Sequence, residues 1–210
     1  ARPEETLKCS PSLDVAVYSE PELPVLDLIR ADCDPRSVEG VLYRDEGGAT
    51  YRNPPHPISE DLDEFGTPTH DELPLHMYRD PLMKRSPMTT TFGTRGCVNA
   101  CTYCSSPFYT RFRKRSVDHV VVELRHLVEI GIREVRFFDC GITNDHAWCN
   151  GLLDRMLEEE LDLSWFCNSR ADKVTEELVA KMKRAGCHSV SIGAESADVD
   201  ILKNIKKNVT

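Results

Sequence analysis

Positive charge is scarce in this chain. Its 210 residues carry 26 Lys and Arg against 35 Asp and Glu, a formal net charge of −9. A protein whose main partner is a phosphate backbone relies on clustered cations, so no nucleic acid partner is expected. One short basic stretch interleaved with aromatics, Tyr109, Arg111, Phe112, Arg113, Lys114 and Arg115, reads as a solvated loop or an anion contact ahead of a helix. Long hydrophobic runs are missing too. Nothing approaches the ~18 apolar residues of a membrane span, so none is expected. The opening residues Ala1 to Glu5 lack the basic start and apolar core of a signal peptide, and no initiator Met is present. The chain is therefore expected to begin inside a longer protein and to act in the cytoplasm, and the sequon Asn208-Val209-Thr210 is a chance match.

A secretory disulfide framework is not expected, on similar grounds. The nine cysteines are odd in number and no secretory signal precedes them, which leaves metal binding or burial. Cys9, Cys33, Cys149, Cys167 and Cys187 stand singly and read as small buried hydrophobes. Hydrophobic residues make up 40% and charged residues 29% of the chain, a globular balance with room for one domain and part of a second.

Three regions separate by pattern. Residues 1–58 hold short apolar runs, Leu13–Tyr18 and Val38–Tyr43, with a helical stretch from Glu22 to Ile29 between them. Asp45-Glu46-Gly47-Gly48 is a hairpin signal joining Val41–Tyr43 to Thr50–Arg52. This region has the look of the trailing edge of an α/β domain. Residues 59–88 are rich in proline and acid, which excludes a long helix or a central strand and predicts a linker draped over a neighbouring surface. His56, His70 and His76 fall in or beside it and read as solvated.

From residue 89 to 210 the pattern alternates. Strands are predicted at Thr89–Thr94, Glu134–Phe138, Leu163–Cys167 and Ser189–Gly193. Ser116 is positioned to cap the first helix, with Val120, Leu124, Leu127 and Val128 on one face. A second helix presents Trp148, Leu152 and Met156. The third is capped by Thr175, carries acids early and bases late, and stops at Gly186. Strand then helix, repeated, means parallel strands with helical crossovers. A closed eight-unit barrel takes ~250 residues, so about half of one is expected here.

Gly96-Cys97-Val98-Asn99-Ala100-Cys101-Thr102-Tyr103-Cys104 follows the first of these strands. In such folds the loops at the carboxyl ends of strands build the active site. Three thiolates on one short loop can hold three irons of a cubane, whereas most such sites use four cysteines; an iron left open can chelate a substrate. A structural zinc site prefers four ligands. No second Cys-x-x-Cys pair exists to complete one, although Cys140 is available as a fourth donor.

At these residues the chain resembles the radical S-adenosylmethionine superfamily, whose signature is Cys-x3-Cys-x2-Cys. The resemblance implies a 4Fe-4S cluster on Cys97, Cys101 and Cys104. Its open iron binds the methionine amino and carboxylate groups of S-adenosylmethionine, and reduction cleaves the sulfonium to a 5′-deoxyadenosyl radical. Tyr103 matches the aromatic position near the adenine. Asp139 falls where the family places polar groups near the methionine amine, with Cys140 standing where a second acid is usual. Arg170 is implied as a partner of the methionine carboxylate, and Glu195 with Ser196 matches the Gly-x-Glu-Ser element that meets ribose and amine. An electron donor such as flavodoxin or ferredoxin and a small-molecule substrate are implied as partners.

The residues before the barrel narrow the branch. Pro3 to Leu7, Leu13 to Val17 and Glu20-Pro21-Glu22 resemble the last part of a Rossmann-like cobalamin-binding domain, and the stretch from Leu62 to Cys97 resembles the connector of the cobalamin-dependent class. Relatives often read Gly-Glu-Gly-Glu where this chain has Ser19-Glu20-Pro21-Glu22. The resemblance thus implies a cobalamin-dependent methyltransferase, cyclase or rearrangement enzyme. A methylthiotransferase acting on RNA or protein shares the barrel but brings three further cysteines ahead of it, where this chain has Cys9 and Cys33. A non-catalytic zinc or iron-sulfur module is the reading from a different class.

Overall fold

The computed structural model describes residues 3–104, 111–207 and 209. Tyr109 of the basic stretch, and Asn208 and Thr210 of the sequon, lie outside them. The chain divides into two compact units, Ala1–Glu60 and Asp61–Thr210. No helix among the described residues is long and apolar enough to cross a membrane.

The first unit contains helices α1 (Pro3–Cys9) and α2 (Glu22–Arg30) and strands β1 (Val15–Val17), β2 (Val41–Arg44) and β3 (Thr50–Arg52). The strands form one antiparallel sheet in the order β1-β2-β3. The predicted hairpin is present, its turn held by the Asp45 carboxylate accepting from the Ala49 amide at 2.8 Å. Tyr43 and Tyr51 stack across it at 5.4 Å. Cys9 and Cys33 are exposed rather than buried. The reason is local: Cys9 ends α1, and Cys33 (φ 64°) lies in the left-handed turn that closes α2, its amide bonded to Leu28 O at 2.8 Å.

The second unit begins with the proline-rich residues, which coil through short 3-10 turns at Asp63–Phe65, His70–Glu72 and Leu75–Met77. These residues are built into the unit. Leu62, His70 and Leu75 are buried, so the expectation of a solvated His70 is corrected; His76 is exposed. His70 Nε2 lies 3.0 Å from the buried Glu123 carboxylate, and its Nδ1 lies 3.2 Å from Thr89 Oγ1. A histidine with both ring nitrogens engaged can sit in a protein interior.

Strands β4 (Met88–Thr91), β7 (Glu134–Phe137), β8 (Ser164–Ser169) and β9 (Cys187–Ile192) then alternate with helices α3 (Val117–Glu129), α4 (His146–Glu158), α5 (Glu176–Arg184) and α6 (Val199–Asn204). Between β4 and α3 lie two short strands, β5 (Thr94–Arg95) and β6 (Arg113–Lys114). The four long strands pair in parallel in the order β4-β7-β8-β9, which is half of a (β/α) barrel. Its core lies between one sheet face, with Val135, Phe137, Trp165 and Cys167, and the apolar stripes of the helices, including Leu124, Leu127, Leu152, Met156, Leu178 and Met182. Ser116, Asp145 and Thr175 cap α3, α4 and α5 with their side chains. Gly186 (φ 93°) follows α5, where a Cβ would fall 2.2 Å from Leu163 O.

The first strand is shorter than predicted. It stops at Thr91, the chain bends at Phe92-Gly93, and β5 pairs with β6 in a separate antiparallel ribbon. Gly93 is needed at the bend because a Cβ would come within 2.1 Å of the Trp148 ring. The basic stretch is also corrected as a solvated loop: Arg113 and Arg115 are buried, and Arg115 is paired with Glu123 at 2.5 Å.

Candidate functional site

All the residues singled out in the sequence follow the carboxyl ends of β4, β7, β8 and β9, four adjacent parallel strands. The loop carrying Cys97, Cys101 and Cys104 leaves β5. Its thiols are free, as are all the cysteines of the chain. The Asn99 amide and Asn99 Nδ2 approach Cys97 Sγ at 3.4 and 3.3 Å, placing donors on sulfur where a thiolate gains from them. Cys104 N bonds to Cys101 O at 3.1 Å, which tightens the loop between these two cysteines.

Among the described residues, no three His, Cys, Asp or Glu side chains converge as ligands of one metal ion. A mononuclear site with a shared ion needs such convergence. A cubane needs less, because each thiolate binds a different iron. Three free thiols on one loop, with donors already directed at one sulfur, fit a cluster better than a single zinc.

Asp139 follows β7 and is buried. It accepts from the Gly93 amide at 3.1 Å and from the Thr94 amide and hydroxyl, both at 2.5 Å. Burial pushes its carboxyl up to about 6, while the donors pull in the opposite direction. The carboxylate thus pins the turn from which the cysteine loop departs. Cys140 beside it has its thiol pushed up by burial of the sulfur and then by the nearby Cys97 and Cys104.

Arg170 follows β8, buried, with its fork on Asp172 at 2.8 and 3.3 Å and on Lys207 O at 2.9 Å. The guanidinium beside Asp172 helps hold that carboxyl below the usual range, against the burial that raises it. Glu195 follows β9, exposed and with φ 64°. Its Oε1 accepts from Lys207 Nζ at 3.3 Å, and the same ammonium donates to the Tyr103 hydroxyl at 3.2 Å. Ser196 Oγ accepts from the Asp198 amide at 3.0 Å, ahead of α6. The structure therefore brings Tyr103 and Glu195 together through Lys207, while Asp139, Arg170 and Ser196 are engaged by protein partners.

Sequence reasoning missed Lys207 and the buried Glu123 network. Lys207 follows Lys206 in a polar tail and carries no pattern. Glu123 interrupts the apolar face of α3, the one signal by which it was detectable.

The model of the Radical SAM superfamily matches residues 91–210. The chain belongs to the radical SAM superfamily. Among its relatives is an uncharacterised methyltransferase of Pyrococcus horikoshii, 35% identical over 99% of this chain and 46% of that protein. The anaerobic magnesium-protoporphyrin IX monomethyl ester cyclase of Rubrivivax gelatinosus is 28% identical over 98% of this chain and 39% of its own length. The chain thus spans less than half of these curated relatives. The fold is shared with the cobalamin-dependent S-adenosylmethionine radical enzyme OxsB, solved with aqua-cobalamin and S-adenosylmethionine bound. That likeness has a TM-score of 0.72 at 23% identity and covers 100% of this chain and 31% of that one.

Proposed function

We propose that this chain is the cluster-binding and S-adenosylmethionine-binding part of a cobalamin-dependent radical enzyme that performs methyl transfer or a related radical reaction such as cyclisation. The observation that carries this reading is three free thiols on one loop after the first strand of a parallel half barrel, with no fourth cysteine in the loop. Cys97, Cys101 and Cys104 would hold a 4Fe-4S cluster, which would supply the electron for cleavage of S-adenosylmethionine to methionine and a 5′-deoxyadenosyl radical.

The chain's own residues bind and orient. Asn99 supports the Cys97 thiolate, and Asp139 fixes the turn ahead of the loop through Gly93 and Thr94. Glu195 offers a second carboxylate oxygen to the ribose hydroxyls, because a carboxylate accepts several hydrogen bonds. Tyr103 presents an exposed ring on the loop, which suits packing against an adenine. Arg170, committed to Asp172, orders the end of β8 and reaches a methionine carboxylate only by giving up part of that fork.

Residues 1–58 supply the end of a cobalamin-binding-like α/β domain in this reading, and 59–88 connect it to the barrel. The substrate is a small molecule, and a flavodoxin or ferredoxin delivers the electron. The cytoplasm is the setting, since free thiols persist in a reducing compartment.

Metal analysis of the intact protein after anaerobic reconstitution tests this. The expected result is about four irons with matching sulfide per chain. A single tightly held zinc, with no sulfide, overturns it.

A further inference from the structure

Lys207 follows α6, yet it is only 7% exposed. A lysine loses rotamer freedom when buried, and its charge must find partners there. Its ammonium finds two, the Tyr103 hydroxyl at 3.2 Å on the cysteine loop and Glu195 Oε1 at 3.3 Å on the loop after β9. The neighbouring backbone is engaged on the same loop. Ile205 O accepts from the Thr102 amide at 3.0 Å, and Lys206 O lies 3.7 Å from Cys101 Sγ. Lys207 O accepts from Arg170 at 2.9 Å.

The conformation around these contacts is costly. Glu195 (φ 64°) occupies the left-handed region without being glycine, as does Lys206 (φ 55°) in the turn that closes α6, where the Lys207 amide bonds to Leu202 O at 2.9 Å. Such residues persist where surrounding structure demands them, and they gather at functional sites. Three consecutive residues thus grip the segment between two proposed cluster ligands, and the grip ends in a buried cation.

We propose that Lys207 is a positioning residue for the cluster-binding loop, holding Cys101 to Cys104 against the loop after β9 and placing a positive charge on the Tyr103 hydroxyl, one residue from Cys104. The inference rests on the cluster reading above. Its physical consequences are two. Loss of the ammonium frees the loop, so the cluster is released more readily. It also removes a charge that favours the more negative, reduced cluster, so the reduction potential falls.

The test uses the intact protein, reconstituted anaerobically with iron and sulfide, in wild-type form and as Lys207→Met, Lys207→Arg and Tyr103→Phe. Iron loss to a chelator and the midpoint potential from an EPR-monitored titration are read in parallel. For K207M, iron loss is expected to rise at least about tenfold, the size of one hydrogen bond to a charged group, with a lower potential. K207R keeps the charge and restores both values. Y103F removes one hydroxyl from an exposed ring and moves iron loss in the same direction, which keeps the question open to test should K207M fold poorly. Unchanged iron loss in K207M and Y103F, with a wild type that holds its cluster, overturns the inference alone. So does a K207M defect that K207R leaves in place, since that assigns the effect to packing. A wild type that takes up no iron and sulfide removes the cluster reading itself.

Discussion

The two ends of the parallel sheet are built on opposite principles. At the amino ends of the strands a buried carboxylate has both its oxygens engaged. The buried Glu134 carboxylate accepts from the Lys84 and Arg85 amides at 2.8 and 2.6 Å and from Ser164 Oγ at 2.7 Å, with His188 Nε2 at 3.1 Å. Those donors and the histidine help keep it ionised, against the burial that raises it. At the carboxyl ends, the cysteine thiols are free and partly exposed, and Glu195 is open to solvent. At the first end the buried carboxylate is committed to its partners; at the second, thiols and a carboxylate face solvent. In α/β barrels that division separates stability from chemistry.

The sharpest way to break this comparison is at the open end. Cys101→Ala is expected to abolish cluster iron in the reconstituted protein while leaving the thermal unfolding of the apoprotein close to wild type. Retention of the brown chromophore contradicts the ligand assignment.

The next effect belongs to the closed machinery beneath the loop. Glu123 accepts from Arg115 at 2.5 Å and Thr91 at 2.6 Å, and faces His70 at 3.0 Å, with Glu123 itself fully buried. Glu123→Gln leaves Arg115 buried without its counterion, which costs about 3–5 kcal/mol. Denaturant unfolding measures it, and a loss under about 1 kcal/mol would falsify the view of this network as an ionic anchor.

Asp139 lies between the two regimes, and pH separates them. Its folded value of about 6 exceeds the ordinary 3.8. The stabilisation relative to an unfolded carboxyl is therefore complete below about pH 4 and is lost as pH rises through about 6, a swing of ~3 kcal/mol. Asp139→Asn does not titrate. Its stability relative to wild type should improve from pH 4 to pH 7, and a difference that stays flat across that window contradicts the assignment. The smallest effect is at the rim of the closed end, where Arg85 and Asp162 pair at 2.8 Å with both side chains over a third exposed. Arg85→Ala should cost no more than about 1 kcal/mol in unfolding measurements.

What the sequence disclosed follows the range of the interactions involved. Helices α3 and α5 were legible from periodicity and from Ser116, Thr175 and Gly186, because caps act within a few residues. The three thiols were legible because their chemistry is written into one loop. The β5–β6 ribbon was not, since two-residue strands carry no period, and the bend at Gly93 is dictated by Trp148, distant in sequence. His70 looked solvated in its proline-rich setting because its partner Glu123 lies in another element. Arg170 looked free for a ligand because Asp172 and the Lys207 carbonyl meet it only in the fold.

The cluster proposed on Cys97, Cys101 and Cys104 would keep one iron free for S-adenosylmethionine. Its most direct test is to incubate the intact, reconstituted protein with a low-potential reductant and S-adenosylmethionine and to quantify 5′-deoxyadenosine. Formation that requires reductant, and that disappears in Cys101→Ala, is the predicted result. A protein with its full complement of iron and sulfide that forms no 5′-deoxyadenosine contradicts it.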